Sequence, residues 1–597
     1  MLKPEANKAR TVLSLPSVWD FQLAGETFDS AWVRHPLPDP TPMAVPGSYN
    51  SQKATAAYRD HYGWAVYQTR LTVPSAFLTQ RVWLRFGGVT HRAQVFLNGE
   101  LLGEHRGGFL PFEFELTARL PLPEGALLTV AVDNRIDFTT LPVGTSPAEA
   151  QAAYQPSGVP SIDVAEARRA PFNRPNFDFF NFAGIHRPVC LYTTPQTYIQ
   201  DVAVTPSLDG TTGLLRYSVT TSGATAVSVT VQDQAGVICA KATGPNGVLR
   251  LQNAHLWAPG KPYLYQVTVT AAADRYQLAV GVRTVQVSGT KLLINGEPFY
   301  FKGFGKHEDA AVHGRGEDDC QNVLDVDLIH WLNANSFRTS HYPYAEEMYD
   351  LCDRAGIVII DEVPAVGLGW GQDGRAYRDP AIYANHAKTL QDMIARDKNH
   401  PSVVMWSLAN EAALDQHPTL ARDYFHRLYE LAHVSDPASR PVTGVSYPND
   451  YQKDLTTRTM DVVCLNRYYG WYNLSGDLDA ACDALAVELD WWAAQHKPVM
   501  LTEYGADTIA GLHNVVPGMF DEEFQVAYYR RLNAVLDRYP FVIGEQAWNF
   551  ADFATIQGTL RVDGNKKGLF TRDRRPKMAA HYFKDRWAAV PDFGYKR

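Results

Sequence analysis

The sequence predicts three domains: a jelly-roll β-sandwich over 1–194, an immunoglobulin-like β-sandwich over 195–288 and a TIM (β/α)8 barrel over 289–597. Three observations carry this. The chain has 597 residues, more than one hydrophobic core can organise. Up to about Val287 its apolar residues alternate with polar ones in short, turn-bounded runs. From about Lys291 strand-like runs alternate instead with amphipathic helical segments, the pattern of a parallel sheet with crossover helices.

In the first domain the clearest strands are Arg81 to Phe86, Arg92 to Leu97 before the turn Asn98-Gly99, and Leu127 to Val132. No helical period competes with them, which points to a sandwich of jelly-roll type. Asp137 to Pro171, rich in Thr, Pro, Ala and Ser, breaks the alternation and reads as a long loop. It leads into the aromatic stretch Asn176 to Arg187 around Asp178. A carboxylate among phenylalanines needs a partner, either a structural arginine or a ligand hydroxyl. The second domain, with strands at Leu214 to Val219, Ala226 to Val231 and Tyr265 to Thr270, carries no chemical cluster and reads as a spacer.

Eight barrel strands can be marked: Pro298 to Phe304, Ser336 to Ser340, Ile357 to Glu362, Val403 to Glu411, Val442 to Ser446, Val462 to Tyr468, Val499 to Glu503 and Val542 to Trp548. Helices fall between them, such as Ala345 to Ala355, stopped at Gly356, and one opened by Asp379-Pro380. The active site of such a barrel lies at the C-terminal ends of its strands.

Two strand ends stand out. Ser402 to Glu411 is an apolar run that finishes in Asn410 and Glu411, and Pro498 to Glu503 repeats the design. A carboxylate closing a doubly buried strand is poorly explained by packing, because burying an unpaired charge is costly. The other strand ends offer Lys306 to Asp309, Arg338 to His341, Asp361-Glu362, Asn466 to Tyr469, Glu503-Tyr504, Glu545-Gln546 and Trp548. Any one of these alone is as readily a salt bridge at the barrel rim, but the whole set points to one polar, aromatic pocket.

Composition bounds the partners. Hydrophobic residues are 45% and charged residues 20% of the chain, a globular balance. The aromatic share of 12% suits β-rich domains, and sugars stack on such rings. A net charge of -9 argues against nucleic acid or an anionic membrane surface. No apolar run is long enough for a membrane span and the N-terminus lacks the apolar core of a signal peptide, so a cytoplasmic protein is expected. The six cysteines are scattered, with neither disulfide nor zinc spacing. No metal and no cofactor is expected.

These motifs resemble glycoside hydrolase family 2, and within it the bacterial β-glucuronidases, over nearly the whole chain. The resemblance rests on Asn176 to Arg187, Phe304 to Asp309, Arg338 to Glu347, Ala395 to Ser407, Cys464 to Tyr472, Thr502-Glu-Tyr-Gly505 and Gly564-Asn-Lys-Lys-Gly568. It implies retaining hydrolysis of a small-molecule glucuronide, with Glu411 as acid/base and Glu503 as nucleophile. Tyr504 is then expected to hydrogen-bond Glu503, and Asn410 to hold the sugar 2-hydroxyl. Asn565 and Lys567 match the clamp on the sugar carboxylate, reinforced by Arg561 and Tyr472. Asp178, Trp548, His341 and Tyr468 match further pocket positions, with Asp178 and Trp548 as contacts to the 4-hydroxyl. A dimer or tetramer is implied as well.

The sequence departs from the family in two places. Ala412 follows Asn410-Glu411 where the family commonly has proline, which is expected to loosen that turn. The stretch Leu368 to Asn385 is shorter than the loop that covers the pocket in some gut enzymes, which implies a more open aglycone site or cover from a neighbouring subunit. The alternatives are a β-galacturonidase of the same family, a non-catalytic carbohydrate-binding protein, and a metal-dependent hydrolase using His307, Glu308 and Asp309. The second has no need of two such carboxylates, and no ligand spacing supports the third.

Overall fold

Two antiparallel sheets enclose the N-terminal core. In this computed structural model, which describes residues 1–145, 173–447 and 450–596, a six-stranded sheet (Thr41–Ala44, Val18–Leu23, Trp64–Leu71, Ala126–Asp133, Arg92–Leu97, Glu100–Arg106) packs against a four-stranded one (Val12–Ser14, Val189–Thr194, Arg81–Phe86, Phe112–Glu115). Trp19, Phe21, Tyr67 and Leu128 from the first meet Leu84, Phe86, Phe112 and Leu191 from the second. The expected loop from Asp137 to Pro171 lies outside the described residues from 146 onward. A second sandwich follows, with three strands facing four and inward Val and Tyr side chains alternating with exposed residues.

Eight parallel strands close the barrel: β1 Phe301–Lys306, β2 Ser336–Thr339, β3 Val358–Glu362, β4 Val403–Asn410, β5 Val442–Ser446, β6 Val463–Asn466, β7 Val499–Glu503 and β8 Val542–Ala547. β8 pairs back onto β1. The first strand starts later than expected because Glu297–Pro298 belongs to a small antiparallel sheet, folded back through the turn Asn295-Gly296, where φ is +54° and +82°. β4 ends before Glu411 because that residue has φ +52°, outside the β region. The helix Glu346–Ala355 stops at Gly356 in the left-handed conformation, and Asp379 caps the helix Pro380–Asp397 through Ala381 N–H at 2.8 Å.

The first sandwich is docked against the barrel mouth. Phe109 stacks on Tyr342 with centroids 4.6 Å apart, and the Arg315 guanidinium lies 4.5 Å from the centroid of that tyrosine ring. Arg187 donates to the Pro343 carbonyl at 2.7 Å. This contact carries Asp178 across to the barrel. Among the described residues no helix is long and apolar enough to cross a membrane.

Candidate active site

Arg338, on β2, organises the barrel floor. It is fully buried and divides its guanidinium between two carboxylates: one nitrogen lies 2.9 Å from Glu362 Oε1, the other 2.5 Å from Glu503 Oε1. Glu362 also accepts from Ser407 at 2.7 Å and pairs with His341 Nδ1 at 2.7 Å. Glu503, at the end of β7, receives a second donor, the Tyr468 hydroxyl, at 2.6 Å on Oε2. Burial pushes the Glu503 carboxyl up, while Arg338 and Tyr468 pull it back toward the ionised form. His341 in turn stacks on Trp548 at 5.1 Å between centroids.

Glu411 occupies a different environment. Its closest donor is neutral: Asn466 Nδ2 reaches Glu411 Oε1 at 2.8 Å, and Thr502 fixes the other end of that amide at 2.9 Å. Burial, followed by the negative charge of Glu503, pushes the Glu411 carboxyl up to about 8. At neutral pH Glu411 is therefore held as the neutral acid, while Arg338 and Tyr468 favour the ionised form of Glu503. The left-handed backbone at Glu411 costs about 1 to 3 kcal/mol and is held by its own N–H on Val445 O and by Trp370 Nε1 on its carbonyl, at 2.9 and 2.6 Å. Asn410 turns its side-chain oxygen to Arg338 and Asn466, at 3.4 and 3.2 Å, and keeps its amide N–H groups to offer.

Beside this floor lies a cationic wall. Lys567 is 1% exposed and its ammonium sits 2.8 Å from the Tyr472 hydroxyl and 2.5 Å from Asp507 Oδ2. Arg561 donates to Tyr472 at 2.7 Å and grips both oxygens of Asp178, which also accepts from Asn565 Nδ2 at 2.8 Å. Tyr468 joins the wall to the floor: its ring packs on Tyr472 at 5.1 Å, and the Lys567 ammonium is 5.8 Å from its centroid. Lys567 is thus no solvated loop lysine. Asp178 has the structural arginine that its aromatic setting required.

Several expectations need correction. Tyr504 faces away from Glu503 and donates to Asn533 at 2.6 Å, because residues adjacent in a strand point to opposite faces. Tyr468 makes the bond expected of it. Four strand-end groups serve as structural pairs: Lys306 with Asp325, Asp361 with Tyr349 and Thr339, Arg467 with Glu488, and Glu545 with Arg586. His307, Glu308 and Asp309 are separately engaged by Tyr342, Arg187 and Arg572. The turn after β4 is pinned despite Ala412: Gly367 N–H bonds Asn410 O, and Ala413 N–H bonds Leu368 O. Arg338, Glu362 and Asn466 were marked from sequence as strand-end groups without individual roles, and Asp507 was not marked. Asp507 did carry a signal, as a polar residue just beyond the end of a barrel strand.

Comparison with known proteins decides the family. The models for glycosyl hydrolases family 2 match residues 12–195 (sugar binding domain), 197–283 and 285–591 (TIM barrel domain). The chain belongs to glycoside hydrolase family 2. It is 43% identical to a β-glucuronidase of Paenibacillus borealis, with all of both chains covered, and 41% identical to that of Felis catus, covering 98% of this chain and 92% of the relative. A solved structure of Bifidobacterium dentium β-glucuronidase with coumarin-3-O-glucuronide is similar with a TM-score of 0.96 at 55% identity, covering 100% of each chain. As a family 2 member the chain is a glycoside hydrolase built from two β-sandwiches and a catalytic barrel.

Proposed function

We propose that this enzyme hydrolyses β-D-glucuronides to D-glucuronate and an aglycone, with retention, through a covalent glycosyl-enzyme intermediate. The observation that carries the sugar choice is Lys567, an ammonium buried with Asn565, Arg561 and Tyr472 at one side of the pocket. A carboxylate at C6, taken from water, requires such donors in return, whereas a hydroxymethyl group does not. The β-glucuronidase relatives point the same way.

In this reading Glu503, kept ionised by Arg338 and Tyr468, attacks the anomeric carbon while neutral Glu411 gives its proton to the leaving oxygen. Glu411, now a carboxylate, then takes a proton from the water that releases the sugar. Asn410 donates to the 2-hydroxyl, a contact that strengthens in the transition state. His341 braces Trp548, and Asp178 and Trp548 are assigned to the 4-hydroxyl. We also read the domains as 1–194, 195–288 and 289–597.

The deciding experiment compares kcat/KM for an aryl β-glucuronide with the matching β-galacturonide, β-glucoside and β-galactoside. A preference for the glucuronide of about a hundredfold or more is expected. Equal cleavage of the galacturonide would overturn the 4-hydroxyl assignment, and activity on the neutral sugars alone would overturn the clamp. A cytoplasmic dimer or tetramer belongs to the same proposal. Its support is that all six cysteines are free and that Val515 and Val516 are exposed apolar surface of the kind a subunit contact covers. Sedimentation analysis measures the assembly.

A further inference from the structure

We propose that Asp507 is a specificity-determining positioning residue, whose carboxylate aims Lys567 at the carboxylate of the substrate. The inference rests on the glucuronidase reading and names what sets its selectivity. Asp507 follows Glu503 on the loop leaving β7 and is 3% exposed. Its two oxygens do different work. Oδ1 accepts the backbone N–H of Lys566 at 2.8 Å, while Oδ2 takes the Lys567 ammonium at 2.5 Å and lies 3.5 Å from Arg561. One carboxylate therefore fixes both the backbone beside the lysine and its head group. Thr508 N–H on Lys566 O, at 2.9 Å, laces the same two loops together.

A lysine needs this. Its ammonium is a point charge on a flexible stem, with three donors and no preferred direction of its own. Here one donor goes to Asp507 and one to Tyr472, so the third has a set direction. Tyr472 accepts from Lys567 at 2.8 Å and from Arg561 at 2.7 Å, which fills both lone pairs and leaves its own proton to donate. The result is a set of donors, from Lys567 and Tyr472, suited to a carboxylate. Without Asp507 the buried ammonium loses the one carboxylate that lies within hydrogen-bond reach among the described residues, and its third donor is no longer directed.

The test is a double-mutant cycle with Asp507→Asn and Lys567→Gln, assayed on an aryl β-glucuronide and with folding followed by thermal melting. Asp507→Asn is expected to raise KM about tenfold or more while kcat stays within about threefold. In the Lys567→Gln background the same change is expected to shift KM less than about twofold, because its effect runs through the lysine. A fall in kcat at unchanged KM, an unchanged KM, or a full effect that persists without Lys567 would each overturn the proposal. Should Asp507→Asn fail to fold, Asp507→Glu, which moves the carboxylate by one methylene, takes its place in the cycle with the same expectations. If the unsubstituted enzyme prefers neutral glycosides, the glucuronidase reading fails first. If it prefers glucuronides and the cycle gives the wrong pattern, only the role of Asp507 fails.

Discussion

The Tyr468 hydroxyl donates to Glu503 at 2.6 Å, while Tyr504, next to Glu503 in the chain, donates to Asn533 at the same distance on the other side of the strand. The two tyrosines therefore separate function from stability. Tyr468→Phe is expected to lower kcat about a hundredfold, the usual cost of one donor to a charge that changes in the reaction. Tyr504→Phe is expected to leave kcat within about threefold and to cost about 1 kcal/mol of stability. Single-turnover kinetics and thermal melts of the two variants check this.

If Glu411 is the acid, as proposed, its proton is expected to govern the alkaline side of the pH profile. Burial, then the charge of Glu503, pushes this carboxyl up to about 8, so the acid carries its proton below that pH and loses it above. kcat/KM is expected to fall as pH rises through about 8. In Glu411→Gln that limb should vanish for a substrate with a strongly activated leaving group, which needs no acid in the first step. An alkaline limb that survives the substitution would assign it to another group.

Arg338 has no conservative replacement. Its planar fork serves Glu362 and Glu503 at once, a geometry that the single ammonium of lysine does not reproduce. Arg338→Lys is expected to lower kcat at least about a hundredfold. The imperfectly compensated buried carboxylates should lower stability by up to about 3 to 5 kcal/mol. Denaturant melts and kcat are the measurements.

Gly305 is the space in which Trp548 sits. A Cβ at that position would lie 2.4 Å from the indole and 2.9 Å from Ser340 Oγ. Gly305→Ala is expected to displace Trp548 and the His341 stacked on it, raising KM and costing about 1 to 3 kcal/mol. Tryptophan fluorescence and KM report the shift together.

The fold was legible because periodicity survives in the strands. Buried runs such as Val403 to Asn410 and helix stops such as Gly356 can be read without knowing their neighbours. Glu411 and Glu503 were legible because a carboxylate has little reason to close such a run. The roles of Arg338 and Asp507 were hidden because they exist only between strands: the sequence holds no trace that Arg338 faces Glu503 across 165 positions. Tyr504 was misassigned by adjacency, since neighbours in a strand are on opposite faces. Lys306, Arg467 and Glu545 look like pocket residues from their positions and differ only in where their partners lie.

Asp178, from the first sandwich, grips Arg561 across 383 positions of chain. The wall proposed to select the sugar therefore draws its members from two domains, Asp178 from the first sandwich and Arg561 from the barrel. A barrel excised as 289–597 would retain Glu411 and Glu503 yet leave Arg561 without its clasp. On the proposed reading, selectivity for the glucuronide is thus a property of two docked domains, while the paired carboxylates belong to the barrel alone.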